Sequence, residues 1–334
     1  MGILVGIDEA GYGPHLGPLV VAAAALEFGG DALPEPDLWH ALREHVHARP
    51  SGAGPRVVIC DSKVAYGGGG DLAALERTVL ALLAAMGRRP RRLSDLAAET
   101  RVASATGGDE AAGAPPPWDA PQSVALPADT APDEVEAAAA RLAEGLAAIG
   151  GRPAGLWINV APAARLNRLM DATQNKARAL FALAADLLAA VLDRWPREPV
   201  HITMDSHGGR RYYAGLLAGA FPMMAVEALE ESATVSRYRL RREGGDDASG
   251  AAAPVDVTVC NRCETWSLAT ALASMAAKYV RELHMRQMNA YFRSLVPGLR
   301  PTAGYGLDAW RFLGEVAAAR AAGGIADAQI LRSR

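Results

Sequence analysis

Lysine is nearly absent from this chain of 334 residues: Lys63, Lys176 and Lys278 stand against 31 arginines. A composition that replaces lysine wherever either cation will do leaves the survivors where a compact ammonium is wanted, or leaves them by chance. Cysteine is as scarce, with Cys60, Cys260 and Cys263 alone. Three cysteines make no disulfide framework, and an intracellular, reducing compartment is expected. Cys260 and Cys263 have CxxC spacing, but no second pair of ligands stands near to complete a zinc site. No run of about 18 apolar residues free of charge occurs, which excludes a helical membrane span. The opening residues meet an acidic pair at once and lack the basic start of a secretory signal, so a cytoplasmic protein is expected. A P-loop, a dinucleotide fingerprint and a Ser/His/Asp arrangement are missing as well. The glycines at 67–70 have no Lys-Ser/Thr partner.

What is present is unevenly distributed. The formal net charge is −3, yet residues 93–150 carry ten acids and two bases, leaving the remainder net positive. Residues 251–334 hold ten bases against six acids, so a polyanionic partner is permitted. Residues 103–132 are low in complexity, with Gly and Pro clusters. The expectation is an acidic, partly disordered insertion over 93–150 within a catalytic domain formed by 1–92 and 151–334.

Short apolar runs at 3–8, 18–28, 56–60, 155–160 and 200–204 read as strands, and alternating stretches at 233–242 and 254–260 read as a pair. Helical patterns cover 37–47, 71–86, 133–149, 162–195, 265–292 and 307–320. Strands and helices alternate without a repeat, so the class is α/β. Three strands end in acids: Asp8 with Glu9, Asp205, and Glu264 just after 254–260. Carboxylates at strand ends on one sheet edge can converge. Hard oxygen donors gathered in one cleft repel each other and become useful around Mg2+ or Mn2+. Two such ions about 4 Å apart can clamp a phosphodiester. Adjacent strand residues point to opposite faces, so Asp8 and Glu9 share a site only if the strand ends between them, which Ala10-Gly11 would supply.

Residues 6–23, Gly-Ile-Asp-Glu-Ala-Gly-Tyr-Gly-Pro-His-Leu-Gly-Pro and an apolar run, resemble the signature of type 2 ribonucleases H, ribonuclease HII and its relatives. Asp61-Ser62-Lys63, the helix at 164–180 with Asn167 and the Ala172-Thr173 pair, the strand ending at Asp205, the helix at 271–283 and Gly304-Tyr305-Gly306 are collinear with further elements of that family. The resemblance implies a ribonuclease H-like mixed sheet flanked by helices, with a C-terminal helical part. It implies a phosphodiester hydrolase, an endonuclease that cuts the RNA strand of RNA–DNA hybrids or ribonucleotides embedded in duplex DNA. It also implies a Mg2+ or Mn2+ site made by Asp8, Glu9 and Asp205 with a fourth acid. Counting back from Lys278 places that acid at Glu264, with Asp256 in reserve.

For nucleic-acid contact the resemblance points to Gly11, Tyr12, Gly13, Lys63, Lys278 and Tyr305. Glycines in the turn let backbone amides approach a sugar-phosphate backbone. Tyr12 departs from the Arg or Lys that the family places between them. A nuclease with a drifted substrate, DNA or structured RNA, and a non-catalytic binding relative therefore stand as alternatives. Lys278 is read as a substrate contact or a structural salt bridge, and Tyr305 as a sugar contact or a turn residue that packs. Arg237, Arg239 and Arg241 share a strand face that could track phosphates or guard a solvated edge. His207 could bind phosphate or assist proton transfer, or lie at the surface. A monomer is expected.

Overall fold

The computed structural model describes residues 2–29, 37–67, 71–103, 116–119, 124–242 and 253–333. In chain order it begins with β1 (Gly2–Ala10), β2 (Leu19–Phe28), α1 (Asp37–Ala41), β3 (Val46–His47) and β4 (Val57–Val58). Helices α2 (Ser62–Tyr66), α3 (Ala73–Ala85), α4 (Leu93–Thr100) and α5 (Pro132–Ala148) follow. Then come β5 (Gly151–Ala161), α6 (Ala163–Thr173), α7 (Lys176–Arg194), β6 (Val200–Asp205) and α8 (Ala214–Ala220). β7 (Met224–Glu231), β8 (Val235–Arg242) and β9 (Val255–Cys260) complete the strands. The last elements are α9 (Leu268–Leu295), α10 (Gly306–Glu315), α11 (Ala317–Ala322) and α12 (Asp327–Ile330).

Seven strands form one mixed sheet in the order β5-β2-β1-β6-β9-β8-β7. β1, β6 and β9 pair parallel, while β2 pairs antiparallel with both β1 and β5, and β8 pairs antiparallel with both β9 and β7. The mixed sheet, its flanking helices and the C-terminal helical part expected from the sequence are all present. Alternation along the central strands splits the core into two layers. Leu4, Val20, Ala22 and Ala24 face α3, α5 and α9, whereas Ile3, Val5, Ile7, Val21 and Ala23 face α7. Residue Gly6 sets the depth of the first layer. A Cβ there would lie 2.0 Å from the backbone of Ala269 and Thr270, so α9 rests directly on β1. The Thr270 hydroxyl donates to the Thr203 carbonyl at 3.1 Å, fastening the same helix to β6.

Several expectations need correction. The pattern at 162–195 is two helices. Gln174 adopts φ 52 and Asn175 caps α7 by accepting from the Arg178 N–H, so the break comes from a left-handed residue and an N-cap without Gly or Pro. The pattern at 37–47 yields only the short α1, after which Val46 and His47 pair with Val57 and Val58. β7 is an unforeseen edge strand whose mostly exposed residues lack an apolar run. The stretch 93–150 is packed at both ends rather than set apart. Leu93 and Leu96 of α4, and Val135, Leu142 and Leu146 of α5, are buried in the first core layer. Its low-complexity part at 104–115 and 120–123 lies outside the described residues, as do most of the glycines at 67–70 and the loop at 243–252. Among the described residues, no helix is long and apolar enough to cross a membrane.

Candidate active site

The C-terminal ends of β1, β6 and β9 open on one edge of the sheet. Pairing between β1 and β6 ends at Ile7 with Met204, and Asp205 lies opposite Cys260. Asp8 and Asp205 thus follow the last paired positions of two neighbouring parallel strands. Carboxylate oxygens of Asp8, Glu9 and Asp205 all lie within 4.8 Å of one another. The strand does not end between Asp8 and Glu9 as expected, because β1 runs on to Ala10 in register with β2. What ends is pairing on the β6 side. The gap left there lets two successive side chains of opposite facing turn into one cleft.

Electrostatics mark this cluster as strained when bare. Burial, then Glu9 and Asp205, push the Asp8 carboxyl well above its ordinary range, while a hydrogen bond from Ser274 opposes the shift. Burial and the charge of Asp205 raise Glu9 to about 8. Asp205 is also raised by burial, relieved by backbone N–H groups of Cys263, Arg262 and Ser206. The ammonium of Lys63 counteracts the rise at Glu9, Asp205 and Glu264. Glu264 stands beside the cluster in a 3-10 turn at Cys263–Thr265, raised by burial and by the charges of Asp205 and Asp61. It is not one of the three whose donor atoms converge, yet its buried Oε2 has no hydrogen-bond partner. A set of hard oxygen donors, each carboxyl raised and one oxygen orphaned, fits a divalent cation.

No family model and no curated protein matches the sequence. Among solved structures, the chain is similar to type 2 ribonucleases H. RNase HII of Archaeoglobus fulgidus, solved in a complex with PCNA, aligns over 99% of this chain and 94% of its own at 15% identity, with a TM-score of 0.43. Ribonuclease H2 of Pyrococcus horikoshii OT3 aligns over 98% of this chain and 92% of its own at 12% identity, with a TM-score of 0.41. A variant of Bst-RNase HIII aligns over 98% of this chain and 65% of its own at 16% identity, with a TM-score of 0.46.

The other residues singled out from the sequence fall into distinct places. Gly11 has φ +92, and Tyr305, 48% exposed, presents its ring to Gly13. Tyr12 packs its hydroxyl against Gly208 and carries the Lys176 ammonium 4.9 Å above its ring. Lys278 donates to Glu282 at 2.7 Å and lies 4.2 Å over the Tyr66 ring, the structural alternative of its two readings. Asp256, the reserve ligand, is excluded from the cluster. It pairs with Arg239 at 2.7 and 3.0 Å and lies opposite His201, four strand positions before Asp205, or roughly 13 Å away. Arg237 pairs with Glu230 and Arg239 with Asp256, so two of the three strand arginines are already engaged. β8 is moreover an interior strand, not an edge.

His207 is buried rather than at the surface, between Phe181 and Tyr213, and burial holds its pKa down at about 3. Cys260 and Cys263, whose CxxC spacing lacked a second ligand pair for zinc, are joined by a disulfide, while Cys60 is a buried free thiol. Sequence reasoning also missed the support beneath Asp8. The hydroxyls of Ser274 on α9 and Ser62 on α2 lie 3.0 Å apart, tying the Asp8 partner to the Asp61-Ser62-Lys63 element. The small polar stripe of Ser267, Ala271 and Ser274 ahead of Lys278 was the available signal.

Proposed function

We propose that this chain is a divalent-metal-dependent endonuclease that hydrolyses the RNA strand of RNA–DNA hybrids or ribonucleotides embedded in duplex DNA. The observation that carries the reading is the convergence of the Asp8, Glu9 and Asp205 oxygens within 4.8 Å. The collinear type 2 ribonuclease H motifs of the sequence supply the substrate class. Asp8, Glu9 and Asp205 would hold Mg2+ or Mn2+, with Glu264 alongside. Bound there, such an ion supplies Lewis acidity to a phosphodiester and to its attacking water.

The chain's own groups do the rest. The carboxyls, raised by burial and by one another, are relieved most by a compact multivalent charge. Ser274 holds Asp8 in place from α9. Exposed Gly13 offers a backbone that a sugar can approach, and the Tyr305 ring beside it packs against that sugar. Lys63 offsets the negative cluster where the substrate backbone enters. No cation stands inside the Gly11-Tyr12-Gly13 turn, and this favours a second reading, a nuclease of the same site chemistry acting on DNA or structured RNA.

One assay separates the readings. Labelled all-DNA, hybrid and single-ribonucleotide duplexes are incubated with Mg2+, Mn2+ or a chelator. Cleavage of ribonucleotide-containing strands alone supports the first reading. Cleavage of all-DNA supports the second, and binding without turnover supports a non-catalytic relative. Asp8→Asn and Asp205→Asn should each abolish cleavage while circular dichroism stays unchanged. Metal-dependent cleavage persisting in both would refute the assignment.

A further inference from the structure

A strand segment from the far end of the sequence lies under the glycine turn. Leu331 pairs with Leu16 as an antiparallel bridge, and the Arg332 N–H donates to the His15 carbonyl at 3.0 Å. Arg332 is 3% exposed. Its Nε donates to the Gly17 carbonyl at 2.7 Å, and Nη1 donates to the carbonyls of Gly11 and, at 3.4 Å, Pro14. Asn167 on α6 locks the segment from behind. Its Nδ2 donates to the Leu331 carbonyl at 2.9 Å, and its Oδ1 accepts from the Ser333 N–H at 2.7 Å.

This guanidinium is oddly provided for. Among the described residues no carboxylate pairs with it, and its buried Nη2 has no partner. A second buried guanidinium, Arg281, packs against the same glycine, since a Cβ on Gly11 would lie 2.6 Å from its Nε. Arg281 does pair with Glu282, but its Nε is also without a partner. Burial and the nearby Arg281 push the Arg332 pKa down to about 9, so it remains charged at neutral pH. Burying an uncompensated charge is costly, and carbonyl dipoles alone could have been served by a neutral donor. Glu9 of the carboxylate cluster, which repels any polyanion, stands two residues before the same glycine. A buried cation beneath the turn is positive charge held close in sequence to those acids.

We propose that Arg332 is a positioning residue for a nucleic-acid phosphate at the glycine turn. It fixes the chain at and after the turn through the carbonyls of Gly11, Pro14 and Gly17, and it supplies from beneath the positive charge that Tyr12 does not supply within the turn. It acts through the turn and does not touch the substrate. This rests on the nuclease reading.

The test compares Arg332→Gln, which keeps donors and removes the charge, with Arg332→Lys, which keeps the charge. KM and kcat are read on the hybrid duplex, and Kd on the same duplex in chelator. Arg332→Gln should raise KM and Kd about tenfold, with kcat little changed. Arg332→Lys should recover most of that loss. A purely structural role would lower the active fraction, hence kcat, and leave KM and Kd in place; that result overturns the inference. If Arg332→Gln is unfolded by circular dichroism, Arg332→His, neutral at pH 8, and Arg332→His with Tyr12→Arg, both read at pH 8, carry the test. A KM that rises in the first and falls back in the second supports the inference, and a KM unmoved in the first overturns it. Wild-type protein that binds the duplex without cutting it sinks the nuclease reading and leaves the Kd comparison to decide this one. Wild-type protein that does not bind sinks both.

Discussion

Ser274 and Gly6 show what single residues contribute to the cleft. Ser274 touches Asp8, and removing the hydroxyl leaves a crowded carboxylate with one donor fewer. Ser274→Ala should weaken Mn2+ binding about tenfold, as loss of support behind a metal ligand does, with little change in thermal midpoint. Calorimetric titration of Mn2+ into the variant checks this, and wild-type affinity would count against it. Gly6 is different, because its missing side chain is what lets two backbones meet. Gly6→Ala would drive a methyl into the backbone of α9 and should cost about 3 kcal/mol or more, readable as a fall in the urea midpoint. The acids Asp8, Glu9 and Asp205 were legible because apolar runs end on them inside a recognisable motif. Arg332 and His207 were not. No local pattern records that one clamps a turn some 300 positions earlier, or that the other is enclosed by two aromatic rings.

At the scale of elements, the strands with strong apolar runs could be read directly, and β8 with β9 could be read as a pair. β7 could not, since an exposed edge strand leaves no hydrophobic stripe in the sequence. The join between α6 and α7 hid for a similar reason, because neither Gln174 nor Asn175 is a strong helix breaker on its own. Elements far apart in sequence are joined through Asp129. It accepts from the Leu72 N–H ahead of α3 and from both amino groups of Arg286 on α9. The hydrogen bond from Arg286 leads the causes that hold its pKa below 3.8. A carboxyl depressed in the folded state contributes stability that is fully present above the unfolded value and is lost as pH falls through the folded one. Asp129→Asn should therefore cost about 1 to 2 kcal/mol at pH 7 and progressively less below pH 3.8. Urea melts of both proteins at pH 7 and pH 3 would read it, and a cost independent of pH would contradict it.

For the molecule as a whole, the acidic stretch gave a misleading outline. Its charge and low complexity suggested an acidic, partly disordered insertion, yet α4 and α5 at its ends close one face of the core. Deleting 93–150 would strip Leu93, Leu96, Val135, Leu142 and Leu146 from that layer. At about 2 kcal/mol for each buried side chain, the loss approaches the whole stability of an ordinary domain. The deletion should give an insoluble or unfolded product by circular dichroism. A folded deletion protein would mean that α4 and α5 are dispensable after all.

The strand order also governs when the cleft can exist. β1 is made first, but β6, its neighbour on the inner side, emerges only after more than half of the chain, and α9 later still. Until then a nascent chain carries an apolar strand with one open flank and a half-formed set of acids. Such non-local pairing is slow to complete, so partial products of translation should lack the gathered acids and need shielding from one another.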